Sequence, residues 1–199
     1  MTTVLRPGVE KVMRVFYAER SAFHLRAIAR KTGLEGQSIT RHLDLLEKEH
    51  YLMSRKEGNL RKYAIRPSSK TFALFTLFDI ERFGRLPSPR RLAIETYLAG
   101  LPRQPVYAIL FGSTAKGTHD ERSDIDMLLI ANENIETAGA ENEADALHAQ
   151  SISTFQMAYD AFLRELRLRE DAVVQSALKT GYPLINHISY YGALCHERV

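Results

Sequence analysis

Apolar residues recur at helical spacing from the start of the chain. Val9, Val12, Met13 and Phe16 share one face, which predicts a first helix over residues 8–19. Leu25, Ile28 and Ala29 do the same over 24–31, and Thr32-Gly33 then stops the helix and turns the chain. A third helix is predicted over about 36–50, with Ile39, Leu43 and Leu46 on one side and Gln37, Arg41 and Lys48 roughly opposite. The pattern then shortens. Residues 51–57 and 60–65 are strand-forming runs around Gly58-Asn59, a hairpin signal. Pro67-Ser68-Ser69 breaks that pattern and offers capping hydroxyls to a helix over about 70–83. This helix is apolar almost all round (Phe72, Leu74, Phe75, Leu77, Phe78, Ile80, Phe83) and needs a cover, either interdomain core or its own copy in a homodimer.

Residues 84–89, with two prolines, form a corner, and 90–99 read as another helix closed by Gly100 and Pro102. Beyond Pro105 come a strand (106–111), a Gly-Ser turn, a strand (124–130), a polar stretch, a helix near 141–150 and a strand near 151–157. Helices and a final extended segment at 182–185 close the chain. That order is a small α/β unit. The expected fold class is therefore α+β, divided as 1–66, a helical connector 67–104, and 105–199.

Charge sharpens the division. Residues 1–66 hold 14 Lys/Arg against 7 Asp/Glu, a net of +7, whereas 67–199 hold 13 against 17, a net of −4. A basic first third joined to an acidic remainder suggests two tasks, the first involving a polyanion. No run reaches the ~18 apolar residues of a membrane span, the N-terminal segment lacks a signal peptide's apolar core, and the one cysteine, Cys195, rules out an intrachain disulfide. The expectation is a cytoplasmic protein.

Two helices around a Gly-containing turn fit a helix-turn-helix, with the second reading the major groove of double-stranded DNA. Gln37, Ser38, Thr40 and Arg41 then face base edges or the groove wall, and Arg55, Lys56, Arg61 and Lys62 on the hairpin meet phosphates. Asp44, near the same face, opposes phosphate. Helix, helix-turn-helix and basic hairpin together resemble a winged-helix domain of bacterial and archaeal regulators.

The densest chemistry lies between Gly112 and Asp126. Alternation along a strand sends Asp124 and Asp126 to one face, and paired carboxylates call for a hard divalent cation. Gly112 lets the backbone approach a phosphate, Ser113 adds a hydroxyl and an amide donor, and Lys116 and Arg122 offer positive charge to the outer phosphates. Gly-Ser followed ten residues later by Asp-x-Asp, with flanking strands and the preceding Ser123, resembles the minimal nucleotidyltransferase family of the polymerase-β-like superfamily.

That resemblance implies a small mixed-sheet nucleotidyltransferase domain in which Gly112, Ser113 and Ser123 serve the nucleotide and Asp124 and Asp126 hold Mg²⁺ or Mn²⁺. It implies transfer of a nucleoside monophosphate from a nucleoside triphosphate, with ATP the expected one, to a protein or RNA hydroxyl. Members occur in toxin–antitoxin pairs and as self-regulating repressors. One departure stands out. Many relatives carry a third carboxylate on the later strand, which here reads Ser151 to Met157 without an acid, Ser153 standing at the expected place. Asp160 and Glu165, the nearest acids, read as helix residues. Two alternatives therefore stand beside the enzyme: a DNA-binding regulator whose second domain senses nucleotide or a partner without catalysis, and a transferase whose winged helix holds the acceptor protein. His187 and His196 lack partners at ligand spacing and read as packing or surface residues.

Overall fold

The computed structural model describes residues 6–196; residues 1–5, the start of the N-terminal segment read above, and 197–199 lie outside the described residues. The chain divides into two compact units, Met1–Phe75 and Thr76–Val199.

The first unit runs α1 (Pro7–Glu19), β1 (Phe23–His24), α2 (Leu25–Thr32), α3 (Gly36–Lys48), β2 (Leu52–Glu57), β3 (Leu60–Ile65) and the start of α4 (Ser69–Gly84). The apolar faces read from spacing are the buried ones: Val9, Val12, Met13 and Phe16 of α1 meet Ile28 of α2 and Ile39, Leu43 and Leu46 of α3. Gly33, left-handed at φ 67°, ends α2 and donates its N–H to Ala29 O, which turns the chain towards α3. β2 and β3 pair antiparallel from Leu52↔Ile65 to Glu57↔Leu60. The strand order is β1-β3-β2. β1 was not predicted, because two residues carry no periodicity; it exists through pairing with Tyr63 and Lys62.

The second unit continues with α5 (Ser88–Gly100), β4 (Tyr107–Phe111), α6 (Gly112–Lys116), β5 (Ile125–Ala131), α7 (Ala138–His148), β6 (Ile152–Ala158), α8 (Tyr159–Leu168), α9 (Ala172–Thr180), β7 (Tyr182–Pro183) and α10 (His187–His196). Its sheet has the order β6-β5-β4-β7. β5 pairs parallel with β6 and antiparallel with β4, so the sheet is mixed. Ala93, Ile94 and Tyr97 of α5 and Ala140 and Ala144 of α7 join one core cluster with Ala108, Leu110, Met127 and Leu129, the residues of one sheet face. α5, read from sequence as connector, is thus part of this core. On the opposite face Tyr107 packs against Phe162 of α8 and Tyr190 of α10.

Three local readings change. β5 begins at Ile125, leaving Asp124 in the turn before it, and the Gly-Ser turn leads straight into α6. α10 follows the extended segment at Tyr182–Pro183. α4 is not covered all round: Phe72, Phe75 and Phe78 are buried, but Leu77 is 41% and Ile80 54% exposed. His187 has a packing role, hydrogen-bonded through Nδ1 to buried Asp79 (2.8 Å), which also accepts from the Tyr191 hydroxyl.

Candidate functional site

β4 ends at Phe111, in register with Asp126 of β5. Gly112 then takes φ 69° and reverses the chain into α6. A Cβ at this position would collide with Asp126 Oδ2, so the backbone angle and the neighbour both require glycine. The Gly112 N–H donates to Thr180 Oγ1 (3.3 Å), and Arg82 donates to Ala115 O (3.0 Å) and Thr180 O (3.1 Å). α6 is therefore seated by the end of α9 and by α4. Ser113 is half-buried and Lys116 exposed on it.

Asp124 is exposed and Asp126 half-buried. The Asp126 carboxyl is held above its ordinary range, first by burial and then by the Asp124 charge, while Lys116 acts in the opposite direction. Gly112, Lys116, Asp124 and Asp126 are thus gathered at one place.

Between them runs a tightly bonded loop. The Asp120 carboxylate accepts from the Arg122 N–H (3.0 Å) and the Ser123 hydroxyl (2.7 Å), an Asx turn legible in the sequence as Asp-Glu-Arg-Ser. The hydroxyl of Ser123 is thereby engaged within the loop, and the Arg122 side chain is exposed. These bonds, the Ser123 hydroxyl first, hold the Asp120 carboxyl below its usual range.

The residue that fixes this loop was missed from sequence. Arg90 of α5 is only 3% exposed and donates at 2.8 Å to each of Thr114 Oγ1, Asp120 O and Ser123 O. Burial lowers its pKa, and the charges of Asp120 and Asp124 work against that. One guanidinium thus ties α6 to the backbone just ahead of Asp124. No local signal marks it, because its partners lie far along the chain.

On the other side of Asp126, the parallel register places Ser153 directly beside it. Among the described residues no three His, Cys, Asp or Glu side chains form a metal-binding group. The donor set is two carboxylates, hard oxygen ligands that suit Mg²⁺ or Mn²⁺. Glu165 is buried and accepts from the Asp171 N–H (2.8 Å) and Gln175 Nε2 (3.1 Å), so it braces α8 and α9. Asp160 lies in the first turn of α8. A cavity of about 210 Å³ opens at the far end of β5, lined by Asn132, Glu133 and Gln156, away from the aspartates.

In the first unit, Gln37, Thr40 and Arg41 are exposed on α3 and Ser38 is half-buried. Thr40 donates to Gly36 O (2.9 Å), and Ser38 is hydrogen-bonded to His42 Nε2 (3.2 Å). The hairpin register pairs Arg55 with Lys62 and Lys56 with Arg61, which divides the four cations over two faces. Arg61 donates to Glu47 of α3 and to Ser54, both at 2.9 Å, and Lys62 lies 3.3 Å from Glu57.

No helix among the described residues is long and apolar enough to cross a membrane. No curated protein and no solved structure matches the chain. Residues 93–187, which carry the Gly112 turn, both aspartates and the strand of Ser153, match the family model described as "Polymerase beta, Nucleotidyltransferase", so this part of the chain is similar to nucleotidyltransferases and that likeness supports an activity of that general kind.

Proposed function

We propose that the chain is a Mg²⁺-dependent nucleotidyltransferase that moves a nucleoside monophosphate from a nucleoside triphosphate, ATP in the first instance, to a hydroxyl on a protein or RNA. The observation that carries this reading is the close approach of Gly112 to Asp126, which leaves the glycine backbone directly beside the carboxylate pair with no side chain of its own in between. Bound at Asp124 and Asp126, the metal ion supplies charge neutralisation at the phosphate oxygens. The chain's own groups do the rest. Gly112 and Ser113 admit the triphosphate to the backbone, Lys116 adds positive charge beside Asp126, and Arg90 keeps Asp124 facing the site by holding the loop that precedes it.

The same reading makes the first unit a winged helix-turn-helix that binds double-stranded DNA. Its element order, the sheet order β1-β3-β2 and the Gly33 turn into α3 support this. Gln37 and Arg41 are then offered to the major groove, and Lys56 and Arg55 to phosphates. A self-regulating or toxin–antitoxin system is the setting such a fusion suits.

A second reading has its own observation. Ser153, beside Asp126 in register, supplies no carboxylate to a second metal and no base to the attacking hydroxyl. A DNA-binding regulator that senses nucleotide without turnover fits that residue. Labelled nucleoside triphosphates incubated with candidate protein and RNA acceptors distinguish the two. Transfer that vanishes in Asp124→Asn and Asp126→Asn, with folding retained, supports the enzyme. Absence of transfer to any acceptor, together with duplex binding that shifts on adding ATP, supports the sensor.

A further inference from the structure

Ser153 and Phe155 stand two residues apart on β6, so both project from the sheet face that carries Phe111, Asp126 and Leu128. Leu128, beside Phe155 in register, is 2% exposed, whereas Phe155 is 40% exposed. The Phe155 ring is held edge-to-face against Phe111, with centroids 6.0 Å apart and an interplanar angle of 61°. Phe111 is itself the residue before Gly112 and lies opposite Asp126. An oriented, half-exposed aromatic ring therefore borders the carboxylate pair.

The separation fits one class of ligand. Phe155 is one strand spacing across from Asp126 and two residues further along, about 8 Å from strand geometry. That is close to the span of a ribose between an α-phosphate and its base. β6, Ile152–Ala158, carries no charged side chain, so its exposed surface suits a neutral planar group.

We propose that Phe155 is the platform on which the nucleobase stacks while the Gly112 turn and the Asp124/Asp126 pair receive the phosphates. The inference rests on reading that turn and pair as a triphosphate site. A phenyl ring meets the face of a base and not its hydrogen-bonding edge, so Phe155 adds affinity for any base without choosing among them.

Calorimetric titration of the 199-residue chain in Mg²⁺, with ATP and with inorganic triphosphate, tests this. Phe155→Ala and Phe155→Leu weaken ATP binding roughly ten- to hundred-fold and leave inorganic triphosphate within about twofold, while Phe155→Trp retains ATP affinity. Leucine keeps apolar volume against Phe111, so its loss of ATP affinity reports the missing ring. Phe155→Leu binding ATP as tightly as the wild type overturns the platform. Wild-type protein binding inorganic triphosphate as tightly as ATP overturns it too, but leaves the phosphate site standing. Wild-type protein binding neither overturns the site and the platform together.

Discussion

Gly112 and Asp126 occupy each other's space: a single added carbon on the glycine would overlap Oδ2 of the aspartate. Gly112→Ala therefore meets two penalties, the overlap and a φ of 69° that costs an L-residue roughly 1–2 kcal/mol. The expected outcome is a lower melting temperature and loss of Mg²⁺ binding, because Asp126 must move aside. The double variant Gly112→Ala/Asp126→Ala removes the overlap and keeps the strained φ, so it recovers part of the stability. Thermal unfolding of the single and double variants measures this, and a single variant that melts like wild type would refute the geometry.

The Asp126 carboxyl is half-buried beside the charge of Asp124, and both raise its pKa. Its raised pKa means that the metal-free fold is favoured by this group when it is protonated at acid pH, and that this contribution is lost as pH rises through the raised value. At neutral pH the charge is a liability beside Asp124. Asp126→Asn should raise the melting temperature of the metal-free protein only modestly, because solvent screens much of the repulsion from exposed Asp124, and should abolish any rise in melting temperature that Mg²⁺ gives the wild type. Mg²⁺ affinity of the wild type should rise with pH across the same range, since proton and metal compete for one carboxylate. Melting curves with and without Mg²⁺ across pH check both points.

Arg90 is the next test. Arg90→Met leaves the Thr114 hydroxyl and the Asp120 and Ser123 carbonyls without their charged donor, an expected loss of about 3 kcal/mol or more. Arg90→Lys keeps the charge but not the fork, and so restores only part. Amide hydrogen exchange should quicken across residues 117–124 in both variants while α1 to α3 are unaffected.

Ser153→Asp places a third carboxylate beside Asp126. Binding of Mn²⁺, followed by its paramagnetic signal, should tighten by tenfold or more, on the order of 1.4 kcal/mol, while the metal-free variant loses stability through like-charge repulsion. If the sensor reading holds, this variant is also the one in which transfer activity first becomes measurable. Unchanged Mn²⁺ affinity would show that position 153 does not face the metal.

For the first unit, Lys56→Ala should weaken duplex binding uniformly across sequences and lower the salt slope by about 1. Arg61→Ala should instead lower stability, since Arg61 is tied to Glu47 and Ser54. Filter binding at several salt concentrations, with melting curves alongside, tells the two effects apart.

Periodicity and turn chemistry are local properties, so the sequence alone determined most helices, the Gly58-Asn59 hairpin and the succession of strands around Gly112. The ten-residue spacing from Ser113 to Ser123-Asp124 also carried the resemblance to nucleotidyltransferases that the family model over residues 93–187 supports, because such a motif consists of residue types a few positions apart. Tertiary structure decided what depends on neighbours far along the chain. It added β1, which exists only by pairing with β3, and placed α5 within the core of the second unit. It drew Arg90 to a loop some thirty residues on, and set Ser153 and Phe155 on the same face as Asp126 through the parallel register of β5 and β6. A buried donor takes whichever carbonyls the fold brings to it, and register follows from which strands become neighbours; neither is written in any single stretch of residues.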